Sequence, residues 1–209
     1  SPGRRVYRLF AASRLQLLPR SFRSRSRRKR VLRPPACRDA RSRVAVEASM
    51  PGTLIVRRAL SADAREIWLW RNDACTRAMS VSPEEVAWEA HAAWFAASLN
   101  DRNRFLYVGC LGDASRKVGI CRFDLDPGRA LAEASINLNP AMRGLNLSHR
   151  LLAAGIRLFL ARRHVDLRAT VKKQNPASIR CFTRCGFVLH GEDAEYGYYR
   201  LYWRPARTA

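Results

Sequence analysis

The apolar positions of this chain change period several times, and each change predicts an element. Thr53 to Ala59 carries Leu54, Ile55 and Val56 in a short run and reads as a strand. Ser61 then caps a helix, with Ala62 to Glu66 in its first turns and Ile67, Trp68 and Trp70 in its body. Ser82-Pro-Glu-Glu85 has the cap, first-turn proline and acids of a second helix start. That helix runs through Trp88, His91, Phe95 and Leu99 at three-and-four spacing, with Trp94 beside them. Arg104 to Leu111 and Lys117 to Leu125 alternate as strands. The turn signal Asp126-Pro-Gly128 separates the second of these from Leu131 to Leu138, which predicts an antiparallel meander.

After Asn139-Pro140 the period lengthens. Leu147 to Arg163 is predicted helical, with Leu151, Leu152, Ile156, Leu158 and Phe159 as its apolar positions. Asp166 to Val171 is a short strand. Pro176 to Arg184 is a helix that begins behind Asn175 with proline in its first turn and ends at Gly186. Strands near Phe187 to His190 and Tyr198 to Trp203 close the chain. The order β-α-α-β-β-β-α-β-α-β-β predicts an α+β fold in three layers, a mixed sheet of about seven strands with about four helices. No internal repeat is visible.

Charge divides the chain. Residues 1–49 hold 15 of the 39 Lys and Arg but two of the 17 acids, a net of +13 within the total of +22. Ser21 to Arg30 is nearly pure Arg and Ser, which self-repels and buries little, so 1–49 is expected to be a disordered basic segment. It reads as a transit-type peptide, a nucleic-acid-binding arm, or sequence upstream of the working protein. The last is favoured, because Met50 is the first methionine and stands just ahead of the first strand. Residues 50–209 form the expected domain. Their net +9 favours an anionic ligand over a cationic one. The six cysteines and four histidines show no metal-ligand spacing, so no metal is expected, and the thiols read as reduced packing groups. No apolar run approaches membrane-spanning length, and a cytoplasmic protein without membrane contact is expected.

Two blocks resemble a known family. Ile136-Asn-Leu-Asn-Pro140, then Arg143-Gly-Leu-Asn-Leu-Ser148, then a long apolar helix, is similar to the acetyl-CoA pyrophosphate loop of GNAT-superfamily N-acetyltransferases. About thirty residues later, Asn175-Pro-Ala-Ser-Ile-Arg-Cys-Phe-Thr-Arg-Cys-Gly-Phe187 is similar to their second signature. The physical chemistry agrees. A strand that turns directly into a helix leaves backbone N–H groups and a dipole end aimed at an anion. The resemblance implies a GNAT-type, mostly antiparallel sheet and acetyl-CoA as co-substrate. It assigns cofactor contacts to Asn137, Leu138, Arg143, Gly144, Leu145, Asn146, Leu147, Ser148, Asn175, Ser178 and Phe182. Asn146 and Ser148 stand where the family has small residues. Asn tolerates the left-handed conformation, and Ser148 can bond a free N–H at the helix start. Phe182 stands where many members have a Tyr acid, and Phe cannot donate a proton.

The resemblance also makes Glu133 the candidate general base, with a backbone N–H near Asn137 or Leu138 as the donor to the thioester oxygen. In the N-terminal half, Trp68-Leu-Trp-Arg-Asn-Asp73, Trp88 to Phe95 and Gly119-Ile-Cys-Arg-Phe-Asp124 resemble the branch that acetylates aminosugar nucleotides in the pseudaminic-acid pathway. It implies a UDP-aminosugar acceptor held by Arg71, Asn72, Trp94, Arg122 and Phe123, in a monomer or homodimer. The alternatives are a protein N-terminal or ribosomal-protein alanine acetyltransferase and, in another class, a non-catalytic CoA- or nucleic-acid-binding protein.

Overall fold

The computed structural model describes residues 53–112, 116–193 and 197–205. The basic segment 1–49 and Met50 lie outside the described residues. Among the described residues, seven strands form one sheet: β1 (Leu54–Arg58), β2 (Arg104–Leu111), β3 (Arg116–Asp126), β4 (Leu131–Leu138), β5 (Asp166–Lys172), β6 (Val188–Asp193) and β7 (Tyr198–Trp203). Their order is β1-β2-β3-β4-β5-β7-β6, antiparallel throughout except for the parallel pair β4–β5. Five α-helices accompany it: α1 (Ala64–Asn72), α2 (Ala74–Met79), α3 (Trp88–Asn100), α4 (Leu147–Leu160) and α5 (Pro176–Arg184).

Strand alternation sorts the side chains into two cores. Cys121, Phe123, Ala132 and Ala134 face α4 and α5, where Phe123 stacks on Phe159 at 4.7 Å and Phe105 meets the same ring edge-on at 5.0 Å. Leu106, Val108 and Ile120 face α1 and α3 and pack with Ile67, Trp70 and Phe95. The α4 layer is wholly apolar. The α1–α3 layer admits polar groups, and the candidate site lies within it.

Two helix starts differ from the sequence expectation. Ser61 opens a single 3-10 turn, Ser61–Asp63, and does not cap it. The carboxylate of Asp63 accepts instead, from the Leu60 N–H at 2.8 Å, from Arg57 at 2.8 and 2.9 Å, and from Lys117 at 3.0 Å. Burial of this 1% exposed side chain opposes ionisation, yet these donors hold its pKa down to about 2. A residue read as a first-turn acid is thus a buried junction of β1, α1 and β3.

Ser82-Pro-Glu-Glu85 does not begin a helix; α3 begins at Trp88. The segment is drawn away by hydrogen bonds. Asn72 bonds both the N–H and the C=O of Val86, at 2.9 and 2.8 Å, and the Trp68 indole donates to the same carbonyl at 2.7 Å. The extra helix α2 arises upstream, where the Asp73 side chain accepts from the Thr76 N–H at 2.9 Å as its N-cap. Gly186, with φ of 88°, follows α5 as expected. Among the described residues, Cys110, Cys121, Cys181 and Cys185 are free thiols.

Candidate active site

The parallel pair β4–β5 is joined by three residue pairs only, Leu131–Asp166, Ala132–Leu167 and Glu133–Arg168. Beyond them β4 stays on β3 while β5 stays on β7, so a wedge opens between the two strands. The Asn139 N–H donates to Val118 O at 2.9 Å. Antiparallel alternation then turns the N–H groups of Asn137 and Ser135 toward β3, and those of Ile136 and Leu138 toward the wedge. Leu138 is therefore the better placed of the two backbone donors expected there.

At the open end, a 3-10 turn, Pro140–Met142, leads into the loop before α4. Gly144 has φ of 82° and open space around it, and Asn146, the N-cap of α4, has φ of 54°. Asn146 thus adopts the left-handed conformation that favoured its tolerance there. Its side chain does not cap the helix. The first-turn N–H groups of a 14-residue helix therefore face outward with the positive dipole end, which fits a pyrophosphate. Leu147 is buried and Leu145 packs on the same core, so both can offer only backbone. Ser148 stands in the first turn of α4, beside the Cys181 thiol.

Several predicted cofactor side chains are already engaged. Arg143 does not point along the loop. Its Nη2 donates to Asp73 Oδ1 at 2.5 Å and to Thr76 Oγ1 at 2.8 Å, across the wedge mouth. Asn175 Oδ1 accepts from the Ser178 N–H at 3.0 Å and caps α5. Phe182 is buried edge-on against Phe187 at 5.0 Å.

Beside the wedge, on the α1–α3 face, lies a cavity of about 140 Å³ lined by Ile67, Arg71, Thr76, Ser80, His91, Trp94, Leu106, Ile120, Arg122, Ser135, Ile136 and Asn137. The structure thus brings Arg71, Trp94, Arg122 and Asn137 together. Among the described residues, two guanidiniums and no carboxylate line this space. Arg71 donates to Ser82 O at 2.8 Å. Arg122 lies 2.9 Å from Asp124, but that carboxylate also takes Arg104 at 2.6 Å, and both guanidiniums lie over the Trp94 ring. His91 Nε2 sits 3.1 Å from Ala64 O, so this nitrogen carries the proton. Burial, aided by the Arg71 charge, lowers its pKa to about 4, and the ring is neutral at pH 7.

Three predicted residues lie elsewhere. Phe123 is fully buried in the α4 layer and cannot touch the cavity, because neighbours on a strand face opposite sides and Arg122 faces the cavity. Asn72 is occupied by Val86. Glu133 does not line the cavity; it accepts from Arg168 at 2.6 Å at the closed end of the wedge. Sequence reasoning missed Thr76, Ser80 and Lys172. The Asp73-to-Thr76 spacing, an acid three residues ahead of an N–H it can cap, was the available signal for the first two.

Comparison with known proteins places the fold. The chain is similar over most of its length to solved structures at 17–19% identity. One is a spermidine N-acetyltransferase from Vibrio cholerae in complex with CoA and spermine (TM-score 0.63, 17% identity, 72% of this chain and 94% of that one). Another is the dodecameric spermidine N-acetyltransferase of the same organism in an intermediate state (0.60, 19%, 72% and 93%). A third is a domain from Methanocaldococcus jannaschii (0.59, 18%, 73% and 98%). These likenesses show the fold. No curated protein matches the sequence. The model of the family described as Acetyltransferase (GNAT) domain matches residues 53–188, and the chain belongs to this family of acyltransferases.

Proposed function

We propose that this N-acetyltransferase moves acetyl from acetyl-CoA to a primary amine carried on an anionic molecule, of which a nucleotide-linked aminosugar is the best-fitting class. The observation that supports the reading is the charge of the cavity: among the described residues, Arg71 and Arg122 line it and no carboxylate does. A polyamine brings several positive charges and would meet two more. A basic peptide N-terminus meets the same repulsion. A volume of about 140 Å³ is close to the roughly 150 Å³ that accommodates one benzene ring. It suits a single amine-bearing ring against Trp94, with the nucleotide outside.

In this reading the loop 143–148 and the α4 N-terminus hold the pyrophosphate through backbone N–H groups, and the thioester lies along the wedge. The Leu138 N–H donates to the carbonyl oxygen as negative charge develops there. The amine nitrogen bonds to the carbonyl carbon, the C–S bond breaks, the thiolate leaves and the second nitrogen proton passes to water to give the neutral amide. The ammonium proton goes to water. The positive potential of Arg71 and Arg122 lowers the pKa of an ammonium beside them, so a free amine is available without a carboxylate in the cavity. With Phe182 in place of the usual acid, the thiolate leaves unassisted, which a group of pKa roughly 8.5 tolerates.

The test is thiol release from acetyl-CoA with a UDP-4-amino-sugar, spermidine, and an alanine-first basic peptide as acceptors. Turnover of the sugar nucleotide, with a Michaelis constant that rises at least about tenfold in Arg122→Gln, a charge-assisted contact's worth, supports the reading. Preference for spermidine or the peptide overturns the acceptor assignment. No CoA binding and no turnover with any amine overturns the enzyme assignment.

A further inference from the structure

We infer that Arg143 is a positioning residue that couples the cofactor loop to helix α2, so that CoA binding orders the acceptor side of the wedge. The inference rests on the cofactor reading of loop 143–148 and extends it to regulation of the same site.

Helix α2 spans the wedge mouth. At its N-terminal end Thr76 Oγ1 donates to Asn137 Oδ1 at 3.2 Å, which ties it to β4. At its C-terminal end Lys172 Nζ donates to Ala78 O at 3.0 Å, which ties it to β5. Tyr198, paired with Lys172 in the sheet, donates to Val81 O at 3.5 Å just beyond. Each lip of the wedge therefore holds one end of the same short helix. Thr76 and Ser80 project from this segment into the cavity wall, and the Ser80 hydroxyl is fixed on Thr76 O at 2.7 Å.

Arg143 is the link to the cofactor side. A single nitrogen, Nη2, bonds both the N-cap carboxylate Asp73 and the Thr76 hydroxyl. Burial alone would raise the Asp73 carboxyl, but the bonds from Arg143 and the Thr76 N–H outweigh it and keep Asp73 ionised. Asp73 thus serves three groups in one network: the loop guanidinium, the helix cap and, through Thr76, the splayed strand.

Arg143 immediately precedes Gly144, whose φ of 82° makes this a hinge-like point of the loop. An anion on the backbone N–H groups beyond Gly144 fixes the loop, the fixed loop holds Arg143, and Arg143 holds the cap of α2. By linkage the effect is reciprocal: an acceptor that engages Thr76 and Ser80 tightens CoA binding by the same factor. A six-residue helix with no fully buried side chain depends on such polar ties at its ends.

The experiment is hydrogen exchange of the peptide covering residues 74–82 in the full chain, with and without CoA, alongside calorimetric CoA binding. CoA should slow exchange there at least about fivefold in the wild type, the low end of measured couplings. Arg143→Gln and Asp73→Asn should reduce that response to under about twofold. CoA affinity should fall by less than about fivefold, because backbone N–H groups make the anion contacts. Arg143→Lys, which keeps one donor for Asp73, should retain part of the response. Thr76→Val removes the hydroxyl at constant shape and gives the same test with the loop untouched. Two results overturn the coupling: a CoA response of α2 that survives Arg143→Gln and Thr76→Val, or a more than hundredfold loss of CoA affinity in Arg143→Gln, which would make it a phosphate ligand. Failure of CoA to bind the wild type overturns the cofactor reading and the coupling with it. CoA binding without any response in 74–82 overturns the coupling alone.

Discussion

Glu133→Gln separates two roles that one carboxylate cannot both fill. As a general base, Glu133 would be worth about a hundredfold to ten-thousandfold in rate, and its loss would erase the acid limb of the pH–rate profile. As a pin at the closed end of the wedge, it would affect stability first. The pair is short, 2.6 Å, and each side chain is 20% exposed. A hydrogen bond between charged groups contributes about 1.5–3 kcal/mol. Partial exposure reduces that, and Gln still accepts from Arg168, so we expect about 1–2 kcal/mol of destabilisation. Arg168 also lies opposite Tyr202 on β7. For a domain of this size the melting temperature should fall by about 2–8 °C. Thiol release should fall less than about tenfold, with the pH profile unchanged in shape. Urea melts of Glu133→Gln, Arg168→Gln and the double variant should show less-than-additive losses, because the second change finds the pair already broken. The reasoning fails if Glu133→Gln melts like the wild type, loses more than about a hundredfold in kcat and no longer responds to acid.

Stability should respond to acid in two windows. His91 is lowered to about 4 in the fold from 6.5, so its contribution is intact above pH 6.5 and is lost as pH falls toward 4, by roughly 3 kcal/mol. His91→Phe should flatten that part of a urea-midpoint titration. Asp63 is lowered from 3.8 to about 2, so its contribution is present above pH 3.8 and is lost below it, by roughly 2.5 kcal/mol. Asp63→Asn should be destabilised by about 3–5 kcal/mol at pH 7, because Arg57 and Lys117 lose their shared anion; a loss under 1 kcal/mol would refute the junction. Asn146→Gly should preserve or slightly raise the melting temperature, since it relieves a positive φ, whereas Asn146→Val should cost about 1–2 kcal/mol and weaken CoA binding in calorimetry. Phe123→Leu should lower stability without changing the Michaelis constant for the acceptor, in contrast to Arg122→Gln.

Much of the sheet was legible because its strands alternate cleanly. Ala132 to Leu138 has apolar residues at even positions and polar ones at odd positions, and β4 pairs with β3 over this stretch. The α4 loop was legible because its chemistry is local: a turn, a left-handed residue and a helix start follow one another in sequence. What escaped the sequence was non-local. Ser82-Pro-Glu-Glu85 has every local sign of a helix start, yet the Asn72 and Trp68 side chains, some fourteen to eighteen residues away, take Val86 instead. Arg143 sits in a cofactor motif, yet its partners are seventy and sixty-seven residues upstream. The strand period that places Arg122 on the acceptor face also turns Phe123 to the other.

The same non-locality explains why acceptor and cofactor were unequally readable. Binding a pyrophosphate needs backbone N–H groups, which any sequence supplies once the turn is right. Recognising an amine needs side chains gathered from α1, α2, α3, β3 and β4, and no single motif spans them. Neighbours that share this fold at 17–20% identity include enzymes named for spermidine, a polycation, whereas here the space between α1, α3 and β4 is lined by Arg71 and Arg122. Fold likeness at that distance does not carry charge. A cavity whose ionised lining groups, among the described residues, are guanidiniums disfavours a polycation whatever its surrounding topology. Under the proposed acceptor reading, those two cavity arginines constrain the acceptor more than the fifteen basic residues of the N-terminal segment.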